Sequence, residues 1–490
     1  MPVFAEVLKY YINESHVSVR KLSMEAGIDR TLIHKYMADR RIPKSIEEVK
    51  RLGRCLMLSS EKQKQLLESY NQSLYGEERY RGFLTIQQIL LGVPDFQIQK
   101  NPEIEGNHSN IEHLFPGSDQ KAVAFYGQIQ VEDALLTLLL SEVQKQEKVK
   151  VKMIAQPDNP CLIRVLLKGY WKENMEIEQI ICLDDSNQSN HNISVIAHLL
   201  PLLQGDVSYQ AYYYYDNQKA HINLMSLTPI LLLINEYIVF CNLSMNECLI
   251  IKDPVEYEFY TRQYTQIKMK ADLLTEGGKI PNQSVEFLCP EYKTEEQYIY
   301  IGTSPCIASC MTPELLYCHL LIPDEKKKEN FVHTVMNNTK TAIEKRYISN
   351  VFTEQGFRML IERGMTAEYP EEMYVPLNES ERGMVVRRMM QYGKEGKVKW
   401  YMANSQYLNL DPRLCIYCNN KQGVSFVKWK ENTLMQSFTV NEISIKRSFF
   451  DFLDFARENG WIYSETDTVR KMEEIYNEYF PKKQHMKTAE

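Results

Sequence analysis

The sequence lacks the signatures from which enzyme chemistry is usually read. No G-x-x-x-x-G-K-[ST] and no G-x-G-x-x-G occurs in its 490 residues, so no glycine loop is predicted to cradle a phosphate. H-E-x-x-H and G-x-S-x-G are absent too. Long apolar runs are missing: the longest, Pro229–Cys241, is broken by Asn235 and Glu236 and is too short to span a bilayer. Glycine and proline are sparse at 20 and 19, and with 44% hydrophobic and 25% charged residues this excludes a fibrous or mainly disordered chain. The 11 cysteines are odd in number and scattered among apolar neighbours, as at Cys182, Cys241 and Cys248. That pattern predicts buried free thiols in a reducing compartment rather than a disulfide framework. No secretory n-region or h-region opens the sequence, and a cytoplasmic location with no membrane partner is expected.

Net charge is −7, but it is unevenly spread. Residues 1–75 hold thirteen Lys/Arg against nine Asp/Glu, a net of +4, and the remainder holds forty-four against fifty-five, a net of −11. A basic head on an acidic body places any attraction for phosphate at one end.

Within that head, Phe4, Val7, Leu8, Tyr11 and Ile12 recur at helical spacing over Phe4–Glu14. Ser18 is placed to cap a second helix, Val19–Ala26, and Gly27 supplies the residue that takes positive φ at a helix end. Asp29 is placed to cap a third helix, Arg30–Ala38, with Ile33 and Met37 on one face. Asp39–Pro43 forms a loop, Ser45 caps a fourth helix over Ile46–Leu58, and a fifth runs from Ser59 or Ser60 to about Tyr70. Two short helices about a tight glycine turn form the helix-turn-helix spacing.

The stretch VRKLSMEAGIDRTLIHKYMA, Val19–Ala38, resembles the lambda-repressor-like (Cro-type, XRE) helix-turn-helix family, over roughly the first 70 residues. Gly27 falls at the turn glycine, with Ile33 and Tyr36 at the buried positions of the recognition helix. Arg40-Arg41-Ile42-Pro43 resembles the loop that follows. Ser23 stands where the family usually has Ala, and Asp39-Arg40 where it has Glu-x-Gly. The resemblance implies that the third helix enters the major groove of double-stranded DNA. Its exposed positions are then Arg30, Thr31, His34 and Lys35. Arg30 suits a bidentate contact to guanine, and Thr31 a base or a phosphate. His34 either reads a base edge as neutral imidazole or sits solvated. Lys35, Arg40, Arg41 and Lys44 are placed to neutralise phosphates. The competing reading makes these cations the solvated face of a protein-interaction bundle.

Beyond the head, one more helix is expected near Thr85–Leu91, and Gly92–Asp119 reads as a linker letting head and body move separately. Residues 121–280 alternate strands and helices, predicting an α/β domain. Its expected elements are a buried strand at Ala122–Tyr126, a helix at Val131–Gln146, strands at Val149–Ala155, Ala211–Tyr215, His221–Leu224 and Tyr237–Cys241, and helices at Asn192–Leu203 and Glu256–Leu274. Residues 281–330 read as an irregular hinge ending in the charge run Asp324–Glu329, and 331–490 as an α+β domain. The run Tyr212–Tyr215 is expected as a strand with two rings buried and two exposed, not as a base-stacking platform. Tyr237–Leu274 faintly resembles the last strand and helix of phospholipase-D-like folds. The H-x-K-x-x-x-x-D pattern of that chemistry is missing, the lone H-x-K at His485–Lys487 having no Asp after it. The lone C-x-x-C, Cys415 to Cys418, has no convincing second pair in Cys306 and Cys310, so no metal is expected.

These readings predict a multidomain chain, an all-α five-helix lambda-repressor-like head followed by α/β and α+β domains. The expected role is a sequence-specific DNA-binding regulator that is not an enzyme, with no cofactor and no catalytic residues assigned. Heads of this kind bind as two-fold dimers, so a homodimer is expected, its contact in the body or on the face of the fifth helix at Leu66–Tyr70. The body is expected to take a small-molecule or peptide effector, or to oligomerise. The alternative is an enzyme of unknown class that uses the head for DNA targeting or autoregulation.

Overall fold

The residues that announce helix ends in the sequence cap helices in the structure, a computed structural model. It describes residues 3–92, 115, 120–145, 148–168, 175–185, 191–203, 208–216, 230–280, 297–366, 373–430 and 434–481. The expected strand at His221–Leu224, most of the Gly92–Asp119 segment and the H-x-K at His485 lie outside these residues. The head is all-α: α1 Phe4–Glu14, α2 Val19–Ala26, α3 Arg30–Met37, α4 Ile46–Cys55 and α5 Ser60–Tyr75. Ser18, Asp29, Ser45 and Ser59 each accept a backbone N–H from the first turn of the helix they precede. Leu8, Leu22, Ile33, Val49, Leu52 and Leu66, one or more from each helix, meet in a fully buried core.

The sixth helix, α6 Glu77–Leu91, starts eight residues earlier than the sequence predicts. It does not belong to a loose tether. Tyr80, Phe83, Ile86, Ile89 and Leu90 are buried in the core of the body.

The body holds two mixed sheets. The first half runs β1 Ala122–Tyr126, α7 Gln128–Lys145, β2 Val149–Ile154, α8 Pro160–Lys168, β3 Met175–Asp184, α9 His191–Leu203, β4 Ser208–Asp216, β5 Ile230–Ile234, β6 Tyr237–Cys241, β7 Glu247–Ile251, α10 Pro254–Lys268 and β8 Asp272–Leu273. The second runs β9 Thr275–Ile280, β10 Tyr298–Ile301, α11 Pro313–His319, α12 Glu325–Lys345, β11 Ile348–Phe352, α13 Glu354–Arg363, α14 Glu379–Lys394, β12 Val398–Met402, β13 Leu414–Asn419, β14 Gly423–Lys430, β15 Leu434–Val440, α15 Ile443–Glu458 and α16 Glu465–Tyr479.

The two sheets share one wiring. In the first, parallel β2-β3-β4 sits beside the antiparallel meander β5-β6-β7, joined through β2 and β5, with β1 antiparallel on β7. In the second, parallel β10-β11-β12 sits beside β13-β14-β15, joined through β10 and β13, with β9 antiparallel on β15. Each meander is followed by a helix, α10 or α15. The chain then returns antiparallel to the far edge, as β8 on β4 and as Ile462 on Ala403. The body is one fold repeated in tandem, at a spacing too long and with side chains too different for the repeat to show in sequence.

Helices α9 and α15 touch each other between the sheets, and α6 packs against both. Phe83 of α6 stacks on Phe455 of α15 with ring centroids 4.4 Å apart, and Tyr75 meets the same ring edge-on at 5.4 Å. One buried cluster therefore draws on the first sheet, the second sheet and α6.

Several expected elements change. Strand β1 is not buried: it is the outer strand of its sheet, with alternating exposed and half-exposed residues. The helix expected over Glu256–Leu274 ends at Lys268, because the chain turns to lay Asp272–Leu273 along β4. The charge run Asp324–Glu329 is no hinge but the start of α12, with Asp324 accepting the Lys327 N–H as its cap. Elements β10 and α11 also fall within the segment expected to be irregular. Helix α8 and strands β3, β5 and β7 were not foreseen.

Candidate nucleic-acid interface

The turn before α3 is built around a left-handed residue. Gly27 takes φ 63° at the end of α2, and the Ile28 N–H bonds the Ser23 carbonyl at 3.2 Å. The Ser23 hydroxyl donates to the Ile28 carbonyl at 2.6 Å and ties the turn to the helix before it. Asp29 accepts the Thr31 N–H at 2.7 Å, and this bond holds its carboxyl below the usual carboxylate range.

Helix α3 buries Ile33 and Tyr36 and leaves Arg30, Thr31, His34 and Lys35 exposed. The i, i+1, i+4, i+5 spacing puts these four on one face. Beyond α3, Asp39 takes φ 53°, and the Arg40 N–H bonds the Lys35 carbonyl at 2.9 Å. Asp39 thus fills the left-handed role usually left to glycine, which Asp tolerates better than most residues. Arg40, Arg41 and Lys44 follow, all exposed.

What holds this loop against α3 is a contact that sequence reading missed. Glu48 of α4 is buried and accepts both the Tyr36 hydroxyl at 3.0 Å and the Lys44 N–H at 2.9 Å. Burial, and then the bond to Glu48, pushes the Tyr36 phenol up to about 12. The Tyr70 hydroxyl donates to the Pro43 carbonyl at 3.4 Å from the other side.

Charge is distributed to match. Lys21, Lys50, Lys62 and Lys64 of the head form ion pairs with Glu25, Glu47, Glu14 and Glu68. Among the described residues, none of Arg30, Lys35, Arg40, Arg41 or Lys44 forms one. The structure therefore has all seven predicted residues on α3 and the loop after it, with none of their cations in an ion pair among the described residues.

Other sequence candidates resolve into packing. Cys415 bonds the Tyr300 hydroxyl at 3.4 Å in one core, whereas Cys418 lies in the other, on the opposite face of β13. One ion cannot bridge them. Tyr213 is buried, and the exposed Tyr215 donates to Glu442 at 2.6 Å, so the tyrosine run belongs to β4 as structure. Leu66 and Tyr70, expected to offer a dimer face, are buried within the head, where Tyr70 meets Phe4 edge-on at 5.8 Å. Among the described residues no helix is long and apolar enough to cross a membrane.

No protein-family profile and no curated protein matches this chain. Among solved structures it is similar to TrmBL2, an archaeal chromatin protein described with a novel mode of DNA binding. That likeness has 14% identity, covers 43% of this chain and 69% of that one, and has a TM-score of 0.19. It is also similar to polyphosphate kinase from Porphyromonas gingivalis at 9% identity, over 77% of this chain and 56% of that one, with a TM-score of 0.23.

Proposed function

We propose that this protein is a sequence-specific DNA-binding transcriptional regulator of the lambda-repressor-like (XRE) type. It acts as a homodimer whose repeated-fold body receives a signal or assembles the complex. The observation that carries this is the surface of α3 and its following loop, where exposed cations form no ion pair among the described residues on a capped, tightly turned helix pair. Such a helix offers its N-terminal side chains to base edges, while the loop cations track phosphates. On this reading the chain is a regulator rather than an enzyme, and its effector is a small molecule or peptide bound by the body.

The test is DNA binding with the full chain, beginning with footprinting on its own promoter region. Arg30→Ala should weaken specific binding by about 1–3 kcal/mol and relax the choice of base at one position. Lys35→Ala should weaken all sequences alike and lower the salt slope by about one. If the double variant shifts DNA as the parent does, the interface is misassigned.

A further inference from the structure

We propose that two copies of this chain associate through the open edge of β1, joining their first sheets antiparallel across a two-fold axis. This rests on the homodimer reading above and specifies the surface that makes it.

The hydrogen-bond pattern of β1 defines what is left open. Lys252 N–H bonds the Lys121 carbonyl at 2.7 Å and Gly127 N–H bonds the Asn246 carbonyl at 2.7 Å, one at each end of the pairing with β7. Antiparallel bonding alternates residue by residue, so the odd-numbered residues between them face β7. The N–H and C=O groups of Ala122, Ala124 and Tyr126 point outward, and no described strand pairs with them, although the Ala122 carbonyl accepts the Gln120 side-chain amide at 3.2 Å. A row of unsatisfied backbone groups is a template for another strand, and natural edges are normally blunted by lysine, proline or a bulge. The sequence here is Ala-Val-Ala-Phe-Tyr, with none of these.

Among the described residues, the surface beside this edge carries exposed apolar side chains. Register places Ala124, Leu249 and Phe240 in one row across β1, β7 and β6. Phe240 meets Tyr260 of α10 at 5.2 Å, and Tyr260 meets Phe259 at 5.4 Å. Tyr126, Val255 and Phe259 are 70%, 77% and 56% exposed. The far side of the same sheet face is different: Lys148 pairs with Glu176 and Lys268 with Glu178 on its β3 side. Exposed apolar side chains thus adjoin the open backbone edge, while Ile267, Met269 and Leu273 add exposed apolar surface at the other end.

A second copy fits this edge once the Gln120 side chain releases the Ala122 carbonyl. Centring the two-fold on Ala124 sets Ala124 opposite its own counterpart and Tyr126 opposite Ala122. All outward groups then pair, making about six backbone hydrogen bonds. The small side chains at the centre allow close approach, each Tyr126 ring covers an alanine methyl, and the apolar patches about α10 flank the seam. A two-fold contact is isologous, so one surface serves both copies.

The test is the mass of the full-length protein in solution without DNA, by light scattering or sedimentation. The parent should run at twice its 57.6 kDa at micromolar concentration. Ala124→Lys sets two lysines against each other on the axis, and Ala124→Pro removes the central N–H donor. Both substitutions lie at an exposed position of an edge strand, and both variants should run as monomers with unchanged circular dichroism. If one misfolds, the other decides. Ala124→Cys should cross-link two chains under mild oxidation, whereas Lys399→Cys, on the edge of the second sheet, should not. On DNA with two half-sites, Ala124→Lys should lose ~10-fold or more in affinity through lost bivalency, with single half-site binding unchanged. A parent that stays monomeric at ~50 µM, or edge variants that stay dimeric, overturns the proposal. An Arg30→Ala, Lys35→Ala chain that is dimeric yet binds DNA like the parent would refute the DNA reading and leave this one standing.

Discussion

Tyr36 and Glu48 show how much of the candidate interface rests on two side chains away from its surface. The carboxylate of Glu48 joins α4 to α3 through Tyr36 and to the loop through the Lys44 N–H. Hydrogen bonds to a charged acceptor in a buried site count for more than ordinary ones. Tyr36→Phe should therefore cost the head about 1–2 kcal/mol in denaturant unfolding. It should also weaken DNA binding, although the ring never reaches the exposed face, because the loop bearing Arg40, Arg41 and Lys44 loses half of its tie. Unchanged stability in this variant would mean that the loop is held by Pro43 and backbone bonds alone. The caps at Ser18, Asp29 and Ser45 were legible in the sequence because each acts within three residues. The Tyr36–Glu48 bond spans twelve, and nothing local announces it.

At the scale of elements, α6 connects the two ends of the molecule. It follows α5 after Gly76 alone and buries its apolar residues against α9 and α15. Phe83 is the centre of that contact, sandwiched with Phe455 and edge-on to Tyr75 at 5.6 Å. Phe83→Ala should destabilise the body by about 3–5 kcal/mol in a denaturant titration, the usual range for removing a buried ring. A change under about 1 kcal/mol would show that α6 only lies on the surface. The sequence pattern revealed just the second half of this helix. Glu77, Glu78 and Arg79 begin it with charge, and its apolar spacing becomes plain only from Tyr80 onward.

For the whole molecule, the docking of α6 predicts how the chain behaves under protease. A basic head on a flexible tether would be released first by a cut near Gly76. Here Tyr75 donates to Glu458 at 2.6 Å and Arg79 pairs with Asp451 at 2.8 Å, on either side of that glycine. Limited proteolysis should leave the Tyr75–Arg79 bond series intact while other parts of the chain are cut. Early release of a fragment ending near residue 76 would show that head and body come apart. Phe455 of α15 touches both Phe83 of α6 and Tyr75 at the end of α5, so head and body share one aromatic contact.

The sequence by itself determined the head: its charge, its helix starts, its turn and the residues on its exposed face, though the fourth helix stops at Cys55 rather than Leu58 and the fifth runs on to Tyr75. These follow from forces acting over a few residues, namely capping, apolar periodicity and the freedom of Gly27 in the left-handed region. Tertiary structure decided the rest. Val-, Ile- and Tyr-rich segments say that strands exist but not which strands adjoin. Only tertiary contacts reveal that the body is one fold twice over, that Ala122–Tyr126 is an edge and not a core strand, and that α6 is a core element. Such facts are set by partners more than a hundred residues away, as when Phe83 meets Phe455, and no local pattern carries them.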